Sequence, residues 1–586
     1  MNMKKILFIS TVLILTLIYS CKDSFMQTVP LGMASDNMFY SEKGVNSLLT
    51  GAYSMIDGAW QTDGASWAAS VDNWVWGGVA SDDAYKGTSY GDQPPINSIE
   101  IYQAISTNDY VANRWHLLYD GIARTNDCLK ALKVAIDNKN IEAAPAAEIE
   151  AEAKFLRAWF HFEQKRVFNN IPYITETADP ATVTNTVDAW PLIEADLKAA
   201  VSVLPESQTE VGRPTKYAAE AVLARVYLFQ QKWTDAQPLL DDIINSGKYS
   251  LMPNYSDNYM IAQRNNKESI FEIQYSVNDG ADGSSNAGWG SSLNFPQGGP
   301  FGTCCGFYQP SQNLVNAFKV DANGLPLFDT FNSDDIKNDE FVDPTESFEI
   351  DQRPVDPRLD HTVGRRGIPY LDWGINPGKI WTREVANGGP YMYVKNMFKK
   401  SEKGNFSTTT GWATGVNANN YRAYRLAHVY LWRAEVAAQQ NDLATALKYV
   451  NMVRQRAADS KLMGKGTQVI GSDGKVSGYT IDMSQPAANY NVGLYPAFTS
   501  KDQALKAIQW EIRLEFGMEG LRFFDLVRWG IAAPTLNAYV AKEKTLRLYL
   551  KDANFTAGKN EYWPLPQVQL DLENKNGEIL KQNPGY

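Results

Sequence analysis

Histidine and cysteine are scarce in this chain, four of each among 586 residues. His116, His161, His361 and His428 stand alone, with no H-E-x-x-H pair and no Cys/His spacing of the kind zinc sites need. Cys21, Cys128, Cys304 and Cys305 are too few for the disulfide framework of a small secreted domain. Positive charge is in deficit: 55 Lys and Arg against 66 Asp and Glu leave a net charge of −11. An acidic surface without a basic stripe repels phosphate backbones, which argues against a nucleic-acid partner. Gly466-x4-Gly471-Ser472 lacks the lysine that completes a P-loop, so nucleotide binding is rejected as well. The apolar run Ile6–Ile18 is too short for an ordinary membrane span.

That run has another use. Lys4 and Lys5 precede it, giving residues 1–20 the shape of a signal peptide. It closes on Tyr19-Ser20-Cys21, which resembles a loose lipobox, so Cys21 is the expected lipidation site and mature N-terminus. Acyl chains on Cys21 would tie an otherwise soluble protein to a membrane. Lys22-Asp23 is weakly similar to charged signals that send some bacterial lipoproteins to the cell surface. Residues 21–40 read as a tether, and residues 41–586 as a single domain.

Aromatic side chains are plentiful: 16 Trp, 30 Tyr and 24 Phe, many of them in polar, Gly- and Asn-rich stretches. Ser41 opens a predicted helix with Val45, Leu48, Leu49 and Ala52 on one side. Helical periodicity stops from about residue 57 to 108 and returns from Arg114. Residues 215–245 read as a helical hairpin turning at Gln231–Trp233, and Tyr421–Arg456 as a second. Their small-and-aromatic positions resemble those of tetratricopeptide repeats, without a regular 34-residue period. Two further insertions, about 248–420 and 464–496, interrupt the helices, and Glu268–Tyr275 alternates as a strand does.

Charge is densest from Trp510 to Gly530. Glu511, Glu515 and Glu519 sit at helical spacing, as a glycosidase's carboxylates could. Arg513, Arg522 and Arg528 share the run, and nearby cations depress carboxylate pKa values where a general acid needs one raised. The stretch is therefore expected to be a structural clasp. Asp334, Asp335, Asp339 and Glu340 could hold Ca²⁺ through oxygen, although a solvated loop is the simpler reading; no other cofactor is implied.

Six pieces in order carry a family resemblance. They are Trp115-x3-Tyr119-x-Gly121-Ile122-x-Arg124-x-Asn126, Glu152–Trp159, Gly212-Arg213-Pro214-Thr215, Asp356-Pro357-Arg358-Leu359, Trp510–Gly530 and Gln582–Tyr586. Behind a lipobox, this chain resembles the SusD-like (SusD/RagB) glycan-binding lipoproteins almost end to end. The resemblance implies a mainly α fold with about four tetratricopeptide-like helix pairs supporting a loop-rich ligand face. It also implies a non-catalytic role: capturing oligosaccharide at the outer-membrane surface for a TonB-dependent SusC-like transporter. The run Gly302-x-Cys304-Cys305 with Pro310–Phe318 is similar to fructan (levan)-type members.

A sugar site needs a ring face for C–H groups and in-plane polar groups for hydroxyls. Three loop groups fit: Asp92 with Tyr110, the Cys304-Cys305 turn, and Trp381-Thr382-Arg383, with Trp412 as a further candidate. They match ligand-face positions of the fructan-type members, with Tyr110 where a Trp is usual. A disulfide between Cys304 and Cys305 would add a flat apolar plate. Trp74, Trp76, Trp289 and Trp412 are equally well explained as packing under long loops. On this reading Trp381→Ala costs glycan binding and spares the fold, whereas Arg522→Ala costs folding or secretion. The alternatives are a surface glycosidase or a receptor for a non-sugar nutrient such as peptide.

Overall fold

Helix starts are fixed by side chains that cap them. Ser41, Asn108, Thr215, Asp442 and Ser500 each accept a bond from a backbone N–H in the first turn of the helix that follows. Each such cap is worth about 1 kcal/mol. The structure, a computed structural model, describes residues 36–58, 65–302, 304–409, 415–577 and 579–586. Cys21, the signal peptide, nearly all of the tether and Trp412 lie outside the described residues.

The helices of twelve residues or more are α1 Glu42–Tyr53, α2 Asp109–Asp137, α3 Ala143–Phe168, α4 Trp190–Val203 and α5 Lys216–Phe229. They continue with α6 Trp233–Asn245, α7 Leu426–Gln439, α8 Leu443–Asp459, α9 Lys501–Phe516 and α10 Ala532–Glu543. α1 packs on α2, and from α2 to α8 each helix packs on the next, while α9 leans on α7 and α8. This is the mainly α architecture of paired helices that the periodicity predicts. The turns after α2, α5 and α7 share one device. Lys139, Gln231 and Asn441 adopt positive φ (56°, 57° and 65°). The next N–H then reaches back: Asn140 to Ala135 O at 2.8 Å, Lys232 to Tyr227 O at 2.9 Å, Asp442 to Ala437 O at 2.8 Å. Each turn thereby satisfies carbonyls that the helix end leaves open.

Strands are few and short: β1 Ala84–Gly87, β2 Ser269–Ile273, β3 Phe307–Pro310, β4 Val363–Gly364, β5 Met392–Tyr393, β6 Tyr421–Arg425, β7 Met463–Ile470 and β8 Val476–Pro486. They pair antiparallel as β1–β3, β2–β6, β4–β5 and β7–β8. The helix expected from Tyr421 begins five residues later. Tyr421–Arg425 is extended because its arginines serve β2: Arg422 lies 3.4 Å from Glu272 and Arg425 2.9 Å from Glu268. The insertion at 464–496 is largely the β7–β8 hairpin. Residues 57–108, expected to be irregular, hold the short helices Ala65–Ala68 and Pro94–Glu100 and a wide π-type turn, Trp74–Val79. That turn buries Trp74 and Trp76 completely. Their indole N–H groups donate to Gly290 O and Ala68 O, so both are packing residues.

The charge-dense stretch is a clasp. α9 ends at Phe516, Gly517–Leu521 turn, and a short helix Arg522–Arg528 follows. Glu511 pairs with Arg358 at 2.7 Å and Arg454 at 2.9 Å. Glu515 pairs with Arg358, Arg425 and Arg456. Glu519 takes Lys395 at 2.8 Å and Arg425 at 3.2 Å. Arg513 holds Asp82 and Asp83, Arg522 holds Asp82, and Arg528 holds Glu435 and Asp525. Asp525 also receives Arg225 of α5 at 2.7 Å. Every member named here is buried or nearly so, so the network ties the stretch through the core to residues 82–83, 225, 358, 395, 425–435 and 454–456.

Candidate ligand-binding site

Three segments converge at one end of β1. The loop after β1 carries Asp92, the turn before β3 carries Cys304 and Cys305, and the segment Lys379–Gly388 carries Trp381 and Arg383. Backbone bonds join them. Thr88 N–H donates to Gly306 O at 2.6 Å, Gly306 N–H to Phe295 O at 2.7 Å, and Gln297 N–H to Trp381 O at 3.1 Å. Asn387 of the third segment donates to Gly87 O at 2.7 Å, fixing it against the first.

Arg383 pairs with Asp92, and its guanidinium also donates to Thr88 Oγ1 at 2.9 Å. Their side chains are 36% and 29% exposed, so both charges remain within reach of a ligand. Cys304 and Cys305 are joined by a disulfide, Cys304 half-buried and Cys305 buried. A Cβ at Gly306, directly after the bridge, would lie 3.6 Å from Arg383 Cβ. The apolar bridge and the ion pair therefore share one small patch.

Two predicted residues sit differently from expectation. Tyr110 lies in the first turn of α2, not in a loop, and is buried; its hydroxyl donates to Gln93 Oε1 at 3.0 Å. Burial, then the Asp92 carboxylate, raises its phenol well above the usual value. Tyr110 buttresses the Asp92 loop and offers no ring face outward. Trp381 is only 6% exposed, its ring packed on Phe301 (5.0 Å between centroids) and Tyr370 (5.7 Å). A Cβ at Gly299 would come within 2.1 Å of its indole nitrogen. Trp381 thus props the Gly298–Gly306 turn, and truncating it removes packing worth about 3–5 kcal/mol. The expectation that Trp381→Ala spares the fold is corrected accordingly.

Sequence reasoning missed Lys86, Thr88 and Asn387, which organise the Asp92 loop. Only their place in a Gly- and Tyr-rich stretch hinted at them: Thr88 and Asn387 have partners about 300 residues away, and Lys86 bonds nearby carbonyls, which carry no side-chain signal.

Neither alternative chemistry is assembled where the sequence offered it. Burial pushes the Glu515 carboxyl up, but Arg456, Arg425 and Arg358 outweigh it and hold it well below the usual carboxylate range. A general acid needs the opposite. The four candidate calcium ligands are spoken for: Asp334 by Lys319 and Arg353, Asp335 by Lys542, Asp339 by the Lys379 N–H, and Glu340 by Arg547. Asp339 and Glu340 are buried, which corrects the solvated-loop reading for them, and among the described residues no group of three or more His, Cys, Asp or Glu stands close enough to hold a metal ion. A cavity of about 670 Å³ lies elsewhere, lined by Tyr53, Arg124, Arg213, Gln274 and Tyr275 among others.

Fold and site define a stacked-helix scaffold that presents polar and apolar groups on converging loops. The chain belongs to the SusD family: the family model described as "SusD family" matches residues 267–586, and one described as "Starch-binding associating with outer membrane" matches residues 27–228. SusD-like protein P25 of Formosa agariphila is 24% identical over 491 residues, covering 75% of this chain and 80% of that one. Among solved structures, a SusD superfamily protein of Bacteroides vulgatus has a TM-score of 0.64 at 20% identity, covering 94% of this chain and 100% of that one. Surface glycan-binding protein A of Bacteroides thetaiotaomicron, solved in complex with laminarihexaose, has a TM-score of 0.61 at 21% identity, covering 93% and 99%. At these identities the two structures establish the shared fold.

Proposed function

We propose that this chain is a non-catalytic, lipid-anchored glycan-binding protein of the outer-membrane surface, which captures oligosaccharide and delivers it to a SusC-like TonB-dependent transporter. The observation that carries the reading is the exposed Arg383–Asp92 pair beside the Cys304–Cys305 bridge, in a chain of this family. A guanidinium and a carboxylate offer donors and acceptors in the plane of a sugar's hydroxyls, and the bridge offers its C–H face an apolar plate. The outer-membrane wording of the N-terminal family model and the lipobox at Cys21 both support surface anchoring. On this reading residues 1–20 are removed, residues 21–40 tether, and residues 41–586 act as one domain.

For the substrate, the run Gly302–Phe318 supports a fructan of the levan type. A relative bound to laminarihexaose supports a β-glucan instead. Titration calorimetry with levan-derived fructo-oligosaccharides and with laminarihexaose separates the two. Wild-type protein is expected to bind one of them without releasing reducing sugar. Arg383→Ala should weaken that binding by about 10- to 100-fold, as loss of a charge-assisted bond does, with an unchanged melting temperature. Reducing sugar released by wild type and abolished in Glu515→Gln would overturn the non-catalytic reading. Binding to neither glycan, with affinity for peptides, would overturn the glycan reading.

A further inference from the structure

Lys86 is buried at 1% exposure, and among the described residues its ammonium forms no ion pair. It donates instead to three backbone carbonyls: Ser89 O at 3.0 Å, Tyr90 O at 3.1 Å and Asp92 O at 2.7 Å. Three acceptors use every N–H an ammonium has. Burying a cation against neutral carbonyls is costly, so the arrangement persists only where the loop's conformation depends on it. This loop needs holding. Thr88 and Gln93 at its ends adopt φ of +51° and +48°, which side chains rarely do. Asn387 grips Gly87 O and Thr88 O, and Asn97 grips Tyr90 O. Lys86 holds the remainder, including the carbonyl of Asp92 itself.

We propose that Lys86 is a protonation-dependent positioning residue of the ligand site: its ammonium fixes the loop that sets Asp92 against Arg383, and losing its proton slackens that loop and weakens ligand binding. The proposal rests on the glycan-binding reading for its functional consequence, and on the loop alone for its mechanism.

The charged and titratable groups around Lys86 come from the helix Pro94–Glu100, the loop itself and the third segment, with Tyr549 of the 3-10 turn Leu548–Asp552 behind Glu100. Glu100 of the helix Pro94–Glu100 accepts from the Lys86 backbone N–H at 3.0 Å and from the Tyr549 hydroxyl at 2.7 Å. Asp92 and Tyr90 belong to the loop itself, the Tyr90 ring centroid 5.7 Å from the ammonium. Arg383 and Glu384 face it from the third segment. Burial pulls the ammonium's pKa down, Glu100, Asp92 and Glu384 push it back, and Arg383 lowers it, leaving it at about 8. Burial raises Glu100 to about 7 against the opposing Tyr549, Lys86 N–H and Lys86 charge. The window of interest therefore runs from about pH 7 to 9.

The sign separates this from alkaline unfolding. A lysine whose folded pKa lies below its unfolded value adds to folding stability as pH rises between the two, because the unfolded chain holds more protons there. Site geometry loosens, then, where Lys86 itself favours the fold. A neutral amine keeps only two N–H groups for three carbonyls.

The test has a ligand-free arm and a ligand arm. Amide exchange, corrected for base catalysis, is followed at Asp92, whose N–H bonds Ser89 O at 3.1 Å. Wild type should lose protection there by about tenfold between pH 7 and 9, while Lys86→Met is unprotected at both. In calorimetry with laminarihexaose and levan-derived fructo-oligosaccharide, wild-type affinity should fall by about tenfold over the same range. Lys86→Met should be weak and pH-independent, and Lys86→Arg, charged throughout, should retain affinity without the step. A wild-type exchange profile flat in pH, or a pH step surviving in Lys86→Met, would overturn the proposal even if neither glycan binds. Should Lys86→Met fail to fold, the wild-type exchange profile alone decides. Absence of binding to either glycan at any pH, with the exchange step intact, would instead sink the functional reading.

Discussion

Glu515 sits among three guanidinium groups with no water-exposed surface, so its charge is paired or it is ruinous. Glu515→Gln leaves Arg425 and Arg456 undercompensated, and removing one partner of such a buried pair costs about 3–5 kcal/mol. Urea denaturation at pH 7 should read that loss, with no catalytic activity altered. Because the folded carboxyl titrates below its unfolded value, its contribution is complete above about pH 4.5 and is lost as pH falls. Wild type and variant should therefore converge in stability on acidification. Glu543 runs the other way. Burial raises it to about 7, against its bond from Tyr85 and the charge of Arg547. The folded chain then holds a proton between about pH 4.5 and 7 that the unfolded chain has released, so stability falls across that window. Glu543→Gln, which mimics the protonated form, should gain on wild type in melting temperature steadily from pH 5 to 7; an even offset at every pH would refute the assignment. At this scale the sequence was informative where charge was dense, since arginines among carboxylates at helical spacing already imply depressed carboxylate pKa values. It was silent on Trp381 and Tyr110, whose burial depends on Phe301, Tyr370 and Gln93 arriving from elsewhere, and on Lys86, whose partners are carbonyls.

The turns after α2, α5 and α7 are one motif written with three different residues, none of them glycine. A left-handed conformation costs a side-chain-bearing residue about 1–2 kcal/mol, while glycine adds about 0.5–1 kcal/mol of unfolded-state entropy. Gln231 is exposed, with φ of 57°. Gln231→Gly should therefore raise stability by up to about 1 kcal/mol, and Gln231→Val should lower it by more than that, both measured by chemical denaturation. The hairpin over 215–245 was readable because its apolar stripe, its N-cap and its turn agree. β7–β8 was not, for a physical reason: most of the hairpin is solvent-exposed on both faces, so no alternation of apolar and polar residues marks it. β6 was misread because Tyr421–Arg425 runs straight into α7 with no Gly or Pro between them. Its strand conformation is imposed by pairing with β2, a contact made across some 150 residues.

The family models divide the chain at about residues 228 and 267, yet the molecule does not divide there. One buried apolar cluster runs from Val45 to Leu580. Phe271 of β2 packs edge-on against Trp159 of α3 at 5.5 Å, and Arg225 of α5 reaches Asp525 at 2.7 Å. The C-terminal tail closes the seam. Trp563 N–H donates to Val167 O at 3.0 Å, its ring meets Trp76 and Phe523 at 5.2 and 4.7 Å, and Asn583 Nδ2 bonds Phe168 O and Trp563 O at 2.7 Å each. Pro564 and Pro566 keep the first part of the tail out of a helix, which starts only at Gln567–Glu573. That the tail spans both matched regions was not readable, since nothing in it names Val167 or Phe168. Asn583→Ala takes a shared donor from two carbonyls; Phe168 O keeps the Asn170 N–H at 2.6 Å, so the cost of about 1–3 kcal/mol falls on Trp563 O. Because those carbonyls lie in α3 and in the tail, the loss should appear as a lower midpoint of one transition, followed alike by far-UV circular dichroism and by Trp fluorescence. Two resolved transitions in wild type, one per matched region, would mean that the clasp and the tail join folding units which stand separately.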